Sequence, residues 1–379
     1  MKTLLFVVNS PEFFVSHRMV IAREAVKQGY SVHVASANGN AVADIKALGC
    51  EHHPVDFARS GQNPLTELKA LRQLIRLFRT LTPDLVHLIT IKPVLYGGFA
   101  ARMSRVPAVV AAVSGLGTVF LAESGIARLR RVLVQGLYRL AFSHSRLAVI
   151  FQNPDDRDML LHAGALSRGQ VRMIRGSGVE LEAYPVRPEP KKGKAVVVMA
   201  SRLLRDKGVL EFVEAARILN ARGVPVVMRL VGDPDPGNPS SVTSEQLESW
   251  REEGIIQLPG FSSDIAEEYG KSNIVCLPSY REGLPKALVE AAACGRAVVT
   301  TDVPGCRDAI EANKTGLLVP AKDAVALADA IQQLVENPEM RAGFGLEARK
   351  LAERVFASDI IVARHMEIYR ELLTDSRLG

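Results

Sequence analysis

The chain has 379 residues, 47% hydrophobic and 23% charged, which is enough for two domains with separate cores and is the composition of an ordinary folded protein. Its net charge of +6 is uneven, because residues 1–185 hold 22 Lys and Arg against 13 Asp and Glu, whereas residues 186–379 hold 25 against 28. A basic first half suggests an anionic partner, but 6% aromatic residues and the lack of a zinc-finger or RRM motif argue against nucleic acid.

Four cysteines without Cys-x-x-Cys spacing predict a reduced, cytoplasmic protein. The apolar run at the amino terminus is too short for the core of a signal peptide. The longest uncharged stretch, residues 106–122, is interrupted by Pro and Gly and falls short of the ~20 residues that a spanning helix requires. We therefore expect no transmembrane segment.

Short apolar runs alternate with helical patterns in two series along the chain. This alternation predicts two parallel, doubly wound α/β sheets in tandem. A segment rich in Pro and charge, residues 182–193, predicts the linker between them. The predicted strands are residues 4–8, 31–35, 85–89, 108–113 and 147–151 in the first series and 195–199, 226–230, 255–258, 274–277 and 297–300 in the second.

Two stretches of the first half, residues 66–79 and 126–146, combine a helical apolar period with repeated Arg and Lys. Two interpretations remain open for each helix. It either lies on an anionic membrane surface, or packs on the sheet with a solvated basic face. For the basic domain as a whole, proximity to a membrane is favoured.

Several polar motifs of the first half have a structural interpretation. Residues 113–120 follow a strand and carry two glycines, but they lack the third glycine of a dinucleotide loop, which disfavours a nicotinamide enzyme. The acids of residues 155–158 are typical of the first turn of a helix. His52 and His53 are interpreted as surface loop residues and His87 as a buried strand histidine. No metal site is therefore expected.

Two acids bracket a predicted helix start in the second half. Pro285 suits the first helical position and Gly295 follows the last, so the helix is expected from Pro285 to Cys294. Its first turn offers free N–H groups and a positive dipole end to an anionic oxygen. Glu282 precedes this turn, and Glu290 lies five residues inside the helix.

Residues 282–290 resemble the E-x7-E motif of retaining glycosyltransferases of the GT-B fold, family 4. The segments 201–208, 230–233, 258–261 and 275–279 resemble further motifs of that family, in the family's order. The resemblance implies an α/β protein with two Rossmann-like domains facing across a cleft. It implies an acceptor- and membrane-facing domain of residues 1–182, joined by a C-terminal helix (359–379) that crosses back to it, and a nucleotide-sugar domain of residues 191–358.

The resemblance also implies a role for individual residues. Arg202 and Lys207 would grip the diphosphate, Glu282 would meet the donor sugar and Glu290 the ribose. Because Arg and Lys can neutralise the leaving phosphate, no metal or other cofactor is expected. The family retains anomeric configuration, and no residue here suggests a covalent nucleophile. Arg202, Lys207 and Glu282 are thus the expected catalytic residues.

Further residues are expected to bind the substrates. Many family members carry a His near position 114, where this chain has Ser114, so assistance by a histidine is not expected there. The expected donor-binding residues are Gly115, Gly117, Arg202, Lys207, Gly260, Phe261, Glu282, Gly283, Leu284, Pro285 and Glu290, and the expected acceptor-binding residues are His17, Arg18, Lys92 and Ser114.

Residues 57–64, 114–117, 174–180 and 307–309 resemble bacterial transferases that add an N-acetylhexosamine to an undecaprenyl-diphosphate-linked sugar. This implies a UDP-sugar donor of the GalNAc type or a related amino sugar, with the epimer left open. It also implies a polyprenyl-diphosphate-linked acceptor in O-antigen or other surface-polysaccharide assembly, and a peripheral position on the inner face of the cell membrane. The alternatives are a UDP-sugar 2-epimerase of the same fold and a noncatalytic nucleotide-sugar-binding protein.

Overall fold

The computed structural model describes residues 1–57, 64–116 and 134–374, and the chain divides into two compact units. Unit 1 comprises Met1–Gly178 together with the C-terminal stretch from Ser358, and unit 2 comprises Val179–Ala357. Each unit is built on one parallel β-sheet. Within the described ranges, no helix is both long enough and apolar enough to cross a bilayer.

The sheet of unit 1 has seven strands in the order β3-β2-β1-β4-β5-β6-β7. Its two faces form two hydrophobic cores, because the central strands are buried on both sides. The strands are β1 (Thr3–Val7), β2 (Ser31–Ser36), β3 (Glu51–Pro54), β4 (Leu85–Ile89), β5 (Ala108–Val113), β6 (Leu147–Phe151) and β7 (Val171–Met173).

Helices cover this sheet, and local signals fix where two of them begin. The Ser10 hydroxyl accepts a hydrogen bond from Phe13 N before the helix that begins at Pro11. Asn153 Oδ1 accepts one from Asp156 N at 2.8 Å before the helix that begins at Pro154. The acids of residues 155–158 therefore lie at a helix start, as expected. The labelled helices of unit 1 are α1 (Pro11–Lys27), α2 (Val42–Ala47), α3 (Pro64–Leu81), α4 (Ile91–Met103), α5 (Pro154–His162) and α12 (Ser358–Thr374), and residues 134–141 are also helical.

Helix α3 packs with its apolar face on the core of unit 1. Leu74 and Phe78 are buried there, whereas Arg72, Arg76 and Arg79 are exposed. The apolar face is thus used by the fold, which favours the packed-helix interpretation with a solvated basic face. The second basic stretch, residues 126–146, lies partly outside the described residues.

A buried polar cluster connects α12 to α1 and β4. His87 Nδ1 and the Tyr369 hydroxyl are 2.6 Å apart, and the His87 and His365 rings stack with centroids 5.7 Å apart. Arg18 is 2% exposed, and its Nη1 donates to Ser177 Oγ at 3.0 Å. His87 is therefore a buried strand histidine, as the sequence predicts.

Unit 2 has a six-stranded sheet in the order β10-β9-β8-β11-β12-β13. Its strands are β8 (Ala195–Ala200), β9 (Val226–Val231), β10 (Ile256–Gly260), β11 (Ile274–Leu277), β12 (Ala297–Thr301) and β13 (Gly316–Val319). Its helices are α6 (Val209–Ala221), α7 (Ser244–Glu253), α8 (Ile265–Gly270), α9 (Lys286–Ala293), α10 (Ala324–Glu336) and α11 (Pro338–Leu351).

The segment predicted as a linker, residues 182–193, is part of unit 2. Arg296 donates to the Arg187 carbonyl at 2.9 Å, and Arg341 Nε donates to Glu189 at 2.8 Å. Arg296 is 1% exposed, so these are contacts of the interior. This segment, rich in Pro and charged residues, is therefore held against unit 2 by these contacts.

Candidate functional site

The loops that follow β8 and β11 are in contact at the carboxyl edge of the unit 2 sheet. Gly208 has φ +77°, and a Cβ at this position would lie 2.1 Å from the Pro278 carbonyl oxygen. Tyr280 N also donates to the Asp206 carbonyl at 2.9 Å. Only glycine allows this close approach, which fixes the position of the preceding Lys207.

Lys207 and Glu282 form an ion pair at this edge. Lys207 Nζ and Glu282 Oε1 are 2.5 Å apart, and the Ser279 hydroxyl donates to the same oxygen at 2.7 Å. Their side chains are 23% and 12% exposed, so both charges are shielded but still reach solvent. The two residues that the sequence expects at the reacting phosphate and sugar are thus brought together.

The loop after β12 supports Glu282 from the other side. Glu282 N donates to the Pro304 carbonyl at 3.1 Å. Gly305 has φ +83°, and a Cβ there would lie 2.4 Å from the Glu282 carbonyl oxygen. Thr301 donates its hydroxyl to the Ser279 carbonyl. Contacts from β12 and the loop after it therefore hold the backbone that carries Glu282 in place.

Helix α9 begins one residue later than predicted. Pro285 is the N-cap, with φ −71° and ψ 121°, and Cys294 is the C-cap. Pro285 precedes the helix because its ψ is extended. Gly283, Leu284 and Pro285 are buried beside the first turn.

Glu290 is 6% exposed on α9 and has two partners. Its Oε1 accepts from the Tyr184 hydroxyl at 2.5 Å and lies 3.1 Å from Lys286 Nζ. Burial and then the Glu290 carboxylate raise the pKa of Tyr184, so its hydroxyl stays protonated and donates. Glu290 is thus held as a buried acceptor that a ribose hydroxyl could share.

Arg202 lies on the β8 loop and has a different partner from Lys207. Its side chain is 59% exposed, and Nη1 donates to Asp235 Oδ2 at 2.9 Å. Gly232 N donates to the Gly260 carbonyl at 2.9 Å, which joins the loops after β9 and β10. Phe261 follows with 72% exposure, an aromatic surface open to a ligand.

Cys306 lies beside Glu282 but is not a candidate nucleophile at this edge. Cys306 is fully buried, and burial followed by the Glu282 carboxylate raises the pKa of its thiol to about 12. Because the thiolate is the nucleophilic form, Cys306 is inert at neutral pH.

In unit 1, Ser114 and Gly115 follow β5, and Gly115 has φ +118°. The Ser114 hydroxyl has no hydrogen-bond partner in the described part of the chain. Lys92 lies in the first turn of α4, and its Nζ is 2.6 Å from Glu67 Oε1. Gly117 lies outside the described residues.

His17 and Arg18 occupy different environments on α1. The His17 ring stacks on Phe13 with a centroid distance of 4.0 Å. Arg18 is buried in the polar cluster under α12, and desolvation lowers the pKa of its guanidinium to about 10. This burial argues against the predicted direct contact of Arg18 with an acceptor, because the residue is 2% exposed.

Three partners of the predicted residues were missed from the sequence. Ser279 orients Glu282, Asp235 pairs with Arg202, and Tyr184 donates to Glu290. Ser279 lies within a recognised family motif, so the sequence could have identified it. No sequence signal pointed to Tyr184, because its segment was interpreted as a linker.

The two Rossmann-like units define a GT-B protein. The residues gathered at the edge of unit 2 are those that the family motif predicts for a nucleotide-sugar site. Residues 182–351 match the family model "Glycosyl transferases group 1", and residues 3–153 match "Glycosyl transferase 4-like".

A curated relative from Campylobacter jejuni, N,N'-diacetylbacillosaminyl-diphospho-undecaprenol alpha-1,3-N-acetylgalactosaminyltransferase, is 30% identical over 94% of this chain and 95% of its own length. The capsular polysaccharide biosynthesis glycosyltransferase CapM of Staphylococcus aureus is 24% identical, with 92% of each chain covered. This chain therefore belongs to the group 1 glycosyltransferases.

Solved structures show the same fold. HepE from Anabaena, solved in complex with UDP, superposes with a TM-score of 0.77 at 20% identity and covers 98% of this chain and 100% of its own. Sucrose-phosphate synthase from Thermosynechococcus elongatus gives a TM-score of 0.78 at 20% identity, with 99% and 100% covered.

Proposed function

We propose that this protein is a retaining, metal-independent glycosyltransferase of bacterial surface-polysaccharide assembly, such as that of O-antigen. It moves an N-acetylhexosamine, of the GalNAc type or a related amino sugar, from a UDP-sugar to an undecaprenyl-diphosphate-linked saccharide. The observation that carries the proposal is the Lys207–Glu282 pair at the sheet edge, with Glu290 on the adjoining helix. The near full-length similarity to the Campylobacter enzyme supports the choice of substrates.

The donor half of the reaction follows from the charges of unit 2. Breaking the sugar–phosphate bond leaves negative charge on the distal phosphate. Lys207 supplies a positive charge there, and the N-terminal end of α9 adds its dipole. Arg202, on the same loop and largely exposed, is available to the other phosphate by exchanging its Asp235 contact. Fixed cations thus take the part that a divalent ion plays in other transferases.

The carboxylates of Glu282 and Glu290 bind the two sugar rings of the donor. Glu282 accepts hydrogen bonds from the sugar hydroxyls, and Glu290 accepts from the ribose. A protonated, buried Cys306 leaves no thiolate to form a glycosyl-enzyme. Attack by the acceptor hydroxyl from the leaving-group face then retains the anomeric configuration.

In this proposal, unit 1 binds the acceptor and contacts the membrane. His17, Lys92 and Ser114 remain the predicted acceptor contacts. The apolar face of α3 is buried in the core, so any membrane contact through this helix is electrostatic, made by its exposed arginines. The proposal therefore assigns the protein a peripheral position on the anionic inner face of the cell membrane.

A donor comparison tests the function. The protein is incubated with a panel of UDP- and GDP-sugars and a polyprenyl-diphosphate-linked saccharide, and UDP release and product mass are recorded. We expect acceptor-dependent release of UDP with a UDP-N-acetylhexosamine and a product heavier by one N-acetylhexosamine residue. An epimerase would convert the donor without acceptor, and a binding protein would release no UDP.

Removal of the α3 cations tests the membrane assignment. Replacing Arg72, Arg76 and Arg79 by Gln should weaken binding to anionic vesicles about 100-fold, because each basic residue near such a surface contributes about 1 kcal/mol. Vesicle sedimentation at low salt gives the measurement, since salt screens the attraction.

The matched control removes the same charge from unit 2. Lys191, Lys192 and Lys194 are exposed, and their replacement by Gln should leave vesicle binding nearly unchanged. Equal losses in both triple variants would mean that net charge, and not the α3 face, governs binding.

A further inference from the structure

Three potential metal ligands meet at one edge of the unit 1 sheet. Strand β3 pairs with β2 in a register that sets His33 opposite Glu51 and Ala35 opposite His53. Because side chains alternate along a strand, His33, Glu51 and His53 share one face of the sheet. The sequence-based expectation of loop histidines and no ligand cluster was therefore wrong in its premise: His52 and His53 lie on a paired strand.

The spacing of the ligand atoms matches a tetrahedral site. His33 Nδ1 lies 3.0 Å from His53 Nε2 and 3.5 Å from Glu51 Oε2, and His53 Nε2 lies 3.7 Å from Glu51 Oε1. Metal bonds of ~2.0–2.1 Å at tetrahedral angles separate ligands by about 3.3 Å. The two histidines approach different oxygens of Glu51, and one ligand atom from each of the three residues lies within 4.8 Å of the other two. An ion shared by all three therefore requires rotation of the exposed Glu51 carboxylate.

A partner outside the trio sets the orientation of one ring. Ser31 Oγ lies 3.1 Å from His33 Nε2, so the Nε2–H can donate to the hydroxyl and leave the Nδ1 lone pair directed at the cluster. Such outer contacts are typical of histidines that bind metals. Without metal, His53 Nε2–H donates a hydrogen bond to His33 Nδ1. When an ion binds both nitrogens, this proton must move from Nε2 to Nδ1 of His53.

The cluster is only partly buried, and its Glu51 side is open to solvent. The His33 side chain is 9% exposed and that of His53 20%, whereas Glu51 is 66% exposed. Two imidazoles and one carboxylate suit Zn²⁺, with water in the fourth position. The trio lies on the two outermost strands of this side of the sheet, β2 and β3, whereas the predicted acceptor residues follow β1, β4 and β5.

We propose that His33, Glu51 and His53 form a Zn²⁺ site that fastens edge strand β3 to β2. Occupancy of this site is independent of the UDP-sugar chemistry proposed for unit 2. An ion that binds the folded protein and not the unfolded chain raises the melting temperature.

The test measures zinc directly on the full chain, with any affinity tag removed. Equilibrium dialysis with elemental analysis should find one Zn²⁺ per chain, and added Zn²⁺ should raise Tm until a chelator reverses the shift. Glu51→Gln and His53→Gln should weaken binding by more than the ~10- to 100-fold that the loss of an outer partner costs. Glu51 is mostly exposed, so this variant is expected to fold normally.

His52 supplies the matched control. It is the neighbouring histidine on the same strand, but it faces the other side of the sheet, where its Nε2 lies 2.9 Å from Ser36 Oγ. His52→Gln should keep full zinc binding. Absence of stoichiometric zinc in the wild type, or equal losses in His52→Gln and His53→Gln, would overturn the site.

Discussion

Replacing Lys207 by Ala is expected to lower kcat by about 10²- to 10³-fold, the range seen when one preorganised stabiliser of a developing oxyanion is removed. The ammonium is held 2.5 Å from Glu282 and is only 23% exposed, so solvent does not substitute for it well. Steady-state kinetics with the preferred donor give the measurement. The loss should fall mainly on kcat, because the phosphate charge develops in the transition state.

Two further variants define this result. Arg202→Ala should also reduce turnover, but less than Lys207→Ala, because Arg202 is 59% exposed and water can replace its charge more readily than that of Lys207, which is 23% exposed. Lys271→Ala removes an equally charged, ion-paired lysine of unit 2 and should have wild-type turnover. Normal kcat in Lys207→Ala would remove the lysine from the chemistry.

Acid should destabilise unit 1 steeply through His87 and His365. Burial lowers the pKa of both, that of His365 to about 3, with the Arg18 charge as a further cause. The unfolded chain takes up these protons below pH ~6.5, whereas the folded protein does not. The free energy of unfolding should therefore fall by about 1.4 kcal/mol per pH unit for each histidine as the pH decreases below 6.5, and for His365 this dependence should continue toward pH 3.

Variants isolate this effect from the titration of the carboxylates. His365→Gln should remove about 1.4 kcal/mol per pH unit from the slope in denaturant unfolding series between pH 6.5 and 4.5. His162→Gln changes an exposed histidine of unit 1 and should leave the slope as it is. If His365→Gln also had the wild-type slope, His365 would be protonated in the folded protein.

The ten strands predicted from the sequence are present, and the three others found in the described residues share a position. β3, β7 and β13 are all at the edges of their sheets. Central strands are buried on both faces and give continuous apolar runs, whereas an edge strand such as Glu51–Pro54 is half exposed and has polar side chains. Two of the three proposed zinc ligands, Glu51 and His53, lie on this missed edge strand and were overlooked for the same reason.

In the candidate site of unit 2, the sequence predicted those residues that lie within a recognised family motif. Lys207 and Glu282 were expected at the same reaction centre, and the structure joins them directly. Tyr184 and Asp235 were not predicted, because each reaches its partner from a distant part of the sequence. Arg18 was expected to bind the acceptor, but local sequence does not reveal that α12 would bury it.

The acceptor-dependent release of nucleotide most directly tests the claim that unit 2 activates a UDP-linked amino sugar for transfer to a lipid-linked saccharide. The account predicts that UDP appears only when donor and polyprenyl-diphosphate saccharide are both present, and that this release is lost in Lys207→Ala. Turnover of GDP-sugars with every UDP-sugar inactive would contradict it.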